Sequence, residues 1–216
     1  MKKFLKDLQW AFKKEYEESS ALRTTTTAPA EAVIRAADRK IAAIPISFLE
    51  TMCETADAST SPILAQLIAD SLSERRDYRP EDRLVVLSYL AKLPKLILVA
   101  ERMGWFDVNE PLVVAAWKKI KLQGEKGVLG TAAYRFAILA AGKGLKDGLI
   151  TLADSANMRR ALPPSAQRDA LIKTDATILR ALVPSQLEGK ALTDFILKNK
   201  ATLVFDQEKK TYALKP

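Results

Sequence analysis

The sequence predicts a mainly α-helical protein: a compact multi-helix domain with a tethered amphipathic helix at its N-terminus and a short β-hairpin at its C-terminus. Three observations carry this expectation. Of 216 residues, 48% are apolar and only 8 are glycine, with alanine and leucine abundant, a composition that favours helices. Short apolar-periodic segments open at prolines and close at glycines, the punctuation of helix ends. The last 16 residues change to two β-prone runs around a polar turn. The length suits one well-buried core or two small ones.

Residues 2–18 place Phe4, Leu8, Phe12 and Tyr16 at four-residue spacing, with Lys2, Lys3, Lys6, Lys13 and Lys14 over much of the remaining surface. This predicts an amphipathic arm. Residues 19–29 contain Thr24-Thr25-Thr26-Thr27 before Ala28-Pro29, a poor helix and a plausible linker. The helical body is expected over residues 30–200. Its first helices cover 30–44, ending at Pro45; 48–56, with Ser47 and Glu50 as a capping box; and 62–73, opened by Ser61-Pro62. Pro80 opens 80–92, Pro94 opens 94–103 with Gly104 as its stop, and Pro111 opens 111–122. Thr131 begins 131–141. Shorter helices follow over 146–153, 155–161, 165–173 and 175–183, and Ser185 with Glu188 caps the last, to about Lys200. The tail, 201–216, pairs Thr202-Leu203-Val204-Phe205 with Thr211-Tyr212-Ala213-Leu214 across Asp206–Lys210, which reads as a hairpin.

Composition excludes several function classes. There is no histidine, which removes Ser-His-Asp and Cys-His catalysis and ordinary transition-metal sites. The single cysteine, Cys53, forms no intramolecular disulfide and is expected as a small core residue in a reducing, cytoplasmic protein. No apolar run reaches the length of a membrane span, and Lys6, Asp7 and Gln9 interrupt any signal-like core after Met1-Lys2-Lys3. No HExxH, GxSxG or paired-carboxylate spacing appears, so the chain is expected to be non-catalytic, with no cofactor and no metal.

Charge is unevenly distributed. Residues 29–111 carry 10 Lys and Arg against 13 Asp and Glu, whereas residues 112–200 carry 15 against 7. The second stretch thus holds a net +8, equal to the excess of the whole chain. Six of the eight glycines fall between 124 and 148. A basic face of this kind points to a polyanion, and glycines beside lysines allow backbone N–H groups to approach phosphate. The segment is not a Walker A loop, because Gly142-Lys143 is followed by Gly144. The GxxG spacing of Gly124-Glu125-Lys126-Gly127 matches KH loops but stands in helical surroundings.

The candidate nucleic-acid contacts are Lys118, Lys119, Lys121, Lys126, Lys143, Lys146, Arg159 and Arg160 for phosphates, with Tyr134 and Arg135 inside the groove. The helix 131–141 is apolar nearly all round and is expected to be buried. Its one charge, Arg135, must then pair with an acid or line a wet groove. Tyr134 suits a stacking platform for an unpaired base. Trp117 shares a helical stripe with Val113 and Ile120 and is assigned to the core. Arg75–Arg83 interleaves cations with acids and reads as a salt-bridged turn. Arg159-Arg160 has no acid nearby after Asp154, which suggests a second phosphate contact.

These features favour RNA or another single strand over duplex DNA, since no exposed row of Arg, Asn or Gln marks a recognition helix. A basic helical body with a swappable arm is the general plan of RNA-coating proteins such as viral nucleoproteins, an analogy of plan alone. The arm's apolar face suits self-association or packing on its own body ahead of a membrane surface. Two other function classes fit the same residues. One is a protein–protein adaptor or assembly component whose lysines only confer solubility. The other is a DNA-binding regulator in which helix 186–200 and the hairpin form a winged helix on a core of helices 165–173 and 175–183.

Overall fold

The computed structural model describes residues 28–59, 62–124 and 130–215, and in addition Lys3, Lys6, Asp7 and Trp10, each helical. The remainder of the expected N-terminal arm, the linker up to Thr27, and Lys126 lie outside the described residues. The described part is mainly α, with ten α-helices and one two-stranded antiparallel sheet. The chain divides into two compact units, Met1–Trp105 and Phe106–Pro216, and the body expected over 30–200 spans that boundary.

In the first unit the helices are α1 (Ala28–Ala42), α2 (Leu49–Ala58), α3 (Pro62–Glu74), α4 (Arg83–Tyr89) and α5 (Ile97–Arg102). Proline sets most of the openings. Pro62 begins α3, and Pro80 and Pro94 begin 3₁₀ turns that lead into α4 and α5. Proline is suited to a first turn because its missing N–H has no partner there in any case. The Ser47 capping box is not formed. Ser47 lies inside the 3₁₀ turn Ile46–Phe48, and α2 starts at Leu49 with no side-chain cap.

Helix α3 packs against both α1 and α2 around Ile41, Met52, Cys53, Leu64, Ile68 and Leu72, all fully buried. Two arginines satisfy the carbonyls that helix C-termini leave open. Arg102 donates to Ser73 O (3.1 Å) and Arg75 O (2.6 Å), and Arg75 donates to Ile44 O (2.5 Å). Arg75 also pairs with Asp77 at 2.8 Å, so the charged turn is the internally bridged segment expected from its sequence.

Cys53 is fully buried in this core. Burial, reinforced by the charge of Glu50, pushes its thiol up to about 12. A free thiol titrates near ~8.5, so the folded protein holds it protonated where an unfolded chain would ionise. The stability this contributes is complete below that value and is lost as pH rises toward 12. A thiol reagent at pH 8 is expected to leave the native protein unlabelled and to modify Cys53 stoichiometrically in denaturant. Rapid labelling without denaturant would contradict the burial.

The second unit contains α6 (Pro111–Gly124), α7 (Thr131–Gly142), α8 (Lys146–Ala161), α9 (Ala166–Leu182) and α10 (Gly189–Lys198), followed by β1 (Leu203–Asp206) and β2 (Thr211–Leu214). The helices expected over 146–153 and 155–161 are one helix, α8, and those over 165–173 and 175–183 are one helix, α9. They therefore supply one helix, not two, to any winged-helix core. The cap expected from Ser185 with Glu188 is also absent: Ser185 Oγ accepts from Leu187 N–H, and α10 begins after Glu188 with no side-chain cap.

Helix α8 is the centre of this unit, touching α6, α7, α9, α10 and β1. Its inner stripe combines small and apolar residues: Gly148, Leu149, Leu152, Ser155 and Ala156. Trp117, Phe106 and Phe136 complete the core, with Trp117 stacked on Phe136 at 5.7 Å between ring centroids. The hairpin closes it from the other side. Leu203 and Tyr212 are buried, and the Tyr212 hydroxyl donates to Ala141 O at 3.1 Å. Register pairs Phe205 with Tyr212 and Asp206 with Thr211, and Asp206 Oδ1 accepts the N–H groups of Glu208 and Lys209 to close the turn.

Two glycines of the basic segment have packing roles. Gly144 adopts φ +93°, a left-handed conformation that side chains rarely take, with the Phe205 ring against its Cα. A Cβ on Gly148 would lie 2.8 Å from Ala141 N and 2.9 Å from Ala137 O, so its absence sets the close crossing of α7 on α8. Gly148→Ala is expected to cost about 1–3 kcal/mol by overpacking, measured by urea denaturation. Gly142→Ala, where a Cβ meets nothing within 4 Å, is the control and should be neutral or slightly stabilising.

Candidate functional site

Helices α7 and α8 form an antiparallel pair. Gly148 meets Ala141 at one end, and Arg159 stacks on Tyr134 at the other. This arrangement divides the nine candidate residues that are described into two groups, Lys126 lying outside the described residues.

The first group lies at the start of α8. Lys121, in the last turn of α6, reaches Asp147 in the first turn of α8 at 3.0 Å. That bridge brings the end of α6, with exposed Lys118 and Lys119, beside the α7–α8 connection, with exposed Lys143 and half-buried Lys146. Lys146 Nζ lies 3.4 Å from Ala201 O. Among the described residues, no acid stands within ion-pair distance of Lys118, Lys119 or Lys143. Lys121 and Lys146 thus stand beside Asp147 from separate stretches of sequence, with Lys143 three residues before Lys146 and Lys118 on the same face of α6 as Lys121, whereas Lys119, two residues from Lys121, projects from the other side of α6.

The second group lies at the far end of α8, thirteen residues and roughly 20 Å along its axis from Lys146, and here the structure revises several expectations. Arg159 is not an exposed phosphate contact. It is 3% exposed, and its Nη1 donates to Asp175 Oδ1 of α9 at 2.5 Å, with Asp175 itself 1% exposed. The Tyr134 hydroxyl donates to the same carboxylate oxygen, and the Arg159 guanidinium carbon stands 4.4 Å from the Tyr134 ring centroid. A hydrogen bond and a cation–π contact therefore hold one aromatic ring from two sides. Burial, with Asp175 adding to it, raises the Tyr134 phenol above its ordinary value and keeps it protonated as a donor. Arg160 is also engaged, donating to Asn157 Oδ1 (2.8 Å) and Thr193 Oγ1 (3.0 Å).

Arg135 is revised in the opposite sense. It was expected inside a buried helix, yet among its described side chains α7 buries only Ala133, Phe136, Ala137, Ala140 and Ala141. Arg135 is exposed, in an outer stripe with half-buried Ile138, Leu139 and Gly142. The helix is apolar because its outer stripe is also apolar, not because it is enclosed. Arg159 is a buried arginine with an acid opposite it, as burial of a charge requires. Asp175 was missed altogether. Its signal was available in the 4-3-4 spacing of Gly148, Leu152, Ser155 and Arg159, which places that arginine on the inner face of α8 and requires an acid opposite.

Among the described residues, no group of three His, Cys, Asp or Glu side chains could hold a metal ion, and no helix is long and apolar enough to cross a membrane. Comparison with known proteins found no match among protein-family models, curated proteins or solved structures.

Proposed function

We propose that the protein binds the phosphate backbone of a nucleic acid, without catalysis, through the basic end of its second unit. The observation that supports this reading is the Lys121–Asp147 bridge, which joins the end of α6, the helix that carries Lys118 and Lys119, to the start of α8, where Lys146 follows three residues after Lys143. Arg135, eight residues before Lys143 on α7, extends the cationic track by about 12 Å. The second unit carries 18 Lys and Arg against 11 Asp and Glu, while the first carries 16 against 15. A localised excess of this kind concentrates a polyanion and orients it.

The reading is tested by binding of the full chain, stripped of copurified nucleic acid, to labelled single-stranded RNA, single-stranded DNA and duplex DNA of equal length. Tighter binding to the single strands than to the duplex supports it in full. Absence of binding to all three would leave a protein–protein role for the same surface.

A further inference from the structure

We infer that Tyr134 is a stacking platform for one unpaired base, preset by Arg159 and Asp175, so that the site selects a single strand by its bases as well as its charge; this inference rests on the nucleic-acid reading above. A phosphate-binding surface needs only exposed cations, and Lys118, Lys119 and Lys143 supply those. Tyr134 is constructed differently. Its hydroxyl is tied to a fully buried carboxylate, and one face of its ring lies under a guanidinium that is itself buried.

The consequence is geometric. The face under Arg159 is closed, so a base would stack on the opposite face of this half-buried ring. The ring cannot swing away without breaking its bond to Asp175, so it loses little rotamer freedom when a base settles on it. A cation on one face also withdraws electron density from the ring, which favours an electron-rich base on the other. Exposed Arg135, the next residue, supplies positive charge for the phosphate that accompanies such a base. Duplex nucleic acid keeps its bases stacked on one another and cannot offer a face to Tyr134 without paying to unstack one.

The experiment compares two labelled oligonucleotides of equal length, one with ordinary bases and one with abasic sugars at every position. Both carry the same phosphates. The full-length protein is expected to bind the base-containing strand about 5- to 150-fold more tightly, the range that one aromatic–base stack supplies. Tyr134→Phe keeps the ring and should keep most of that preference. Tyr134→Leu keeps apolar volume without a ring and should bind both strands equally, with the salt dependence of wild type.

Equal binding of the two strands by wild type would overturn the platform while leaving backbone binding intact. So would an unaltered preference in a folded Tyr134→Leu. If wild type bound neither strand, the nucleic-acid reading itself would fail, and the platform with it. The wild-type comparison decides the matter even if Tyr134→Leu does not fold.

Discussion

Replacing Asp175 with alanine is expected to destabilise the second unit by about 3–5 kcal/mol, the largest effect of any single substitution considered. Two groups depend on this carboxylate, the Arg159 guanidinium and the Tyr134 hydroxyl. With Arg159 3% exposed, removal of Asp175 strands a positive charge away from water, and that loss costs more than the pair itself contributes. The converse experiment separates the two quantities. Arg159→Met combined with Asp175→Leu removes both charges and should recover most of the stability, because a buried ion pair is often no better than apolar residues of similar volume. Chemical denaturation of wild type, Arg159→Met, Asp175→Leu and the double variant, read as a double-mutant cycle, measures the coupling. A loss of less than about 1 kcal/mol in Asp175→Ala would mean that Arg159 reaches solvent and that Tyr134 is not held as described.

Combined substitution of Lys118, Lys119 and Lys143 by alanine is expected to weaken binding to single-stranded nucleic acid about 100-fold at 0.1 M salt. Each phosphate contact on a single strand contributes roughly 0.7 to the logarithmic salt slope, which at that concentration is about fivefold per contact. The log–log slope should become shallower by about 2. Stability should change little, since all three side chains are exposed and bridge to no acid among the described residues. Lys121→Ala is a useful contrast. Its ammonium already pairs with Asp147, so it removes a structural bridge and frees an acid in the same step. Arg160→Ala should affect folding before binding, because Asn157 and Thr193 hold that side chain.

The helix boundaries set by proline were readable because proline acts locally: Pro62, Pro80, Pro94 and Pro111 each begin a helical segment where expected. The hairpin was readable for a similar reason, two β-prone runs around one turn. The breaks expected near Asp154 and Thr174 fail in an informative way. Asp154-Ser155 and Thr174-Asp175 look like caps, since Ser and Asp compete for backbone hydrogen bonds. Ser155 and Asp175 instead lie mid-helix on buried faces. Their polarity serves the tertiary structure, which single-sequence propensity does not register.

The lysine candidates Lys118, Lys119, Lys121, Lys143 and Lys146 are all legible in the sequence, and the fold adds one ion pair, Lys121–Asp147, that joins α6 to the start of α8. The arginine end was not visible. Arg159 and Asp175 are sixteen residues apart on different helices, and the pairing follows only from the crossing of α8 with α9. Arg135 and Arg159 exchange their expected environments because α7 leaves an apolar stripe outward while α8 turns a charged residue inward.

The most direct test of the central claim is the affinity of the intact protein for a labelled single-stranded oligonucleotide, measured from 50 to 400 mM salt. Contacts from Lys118, Lys119, Arg135, Lys143 and Lys146 correspond to a log–log slope near −3.5, at about 0.7 per phosphate contact. A slope close to that value, reduced by about 2 in the triple alanine variant, is the expected result. Binding absent at 50 mM salt, or present with a slope that the variant leaves unchanged, would contradict the assignment of this surface to nucleic acid.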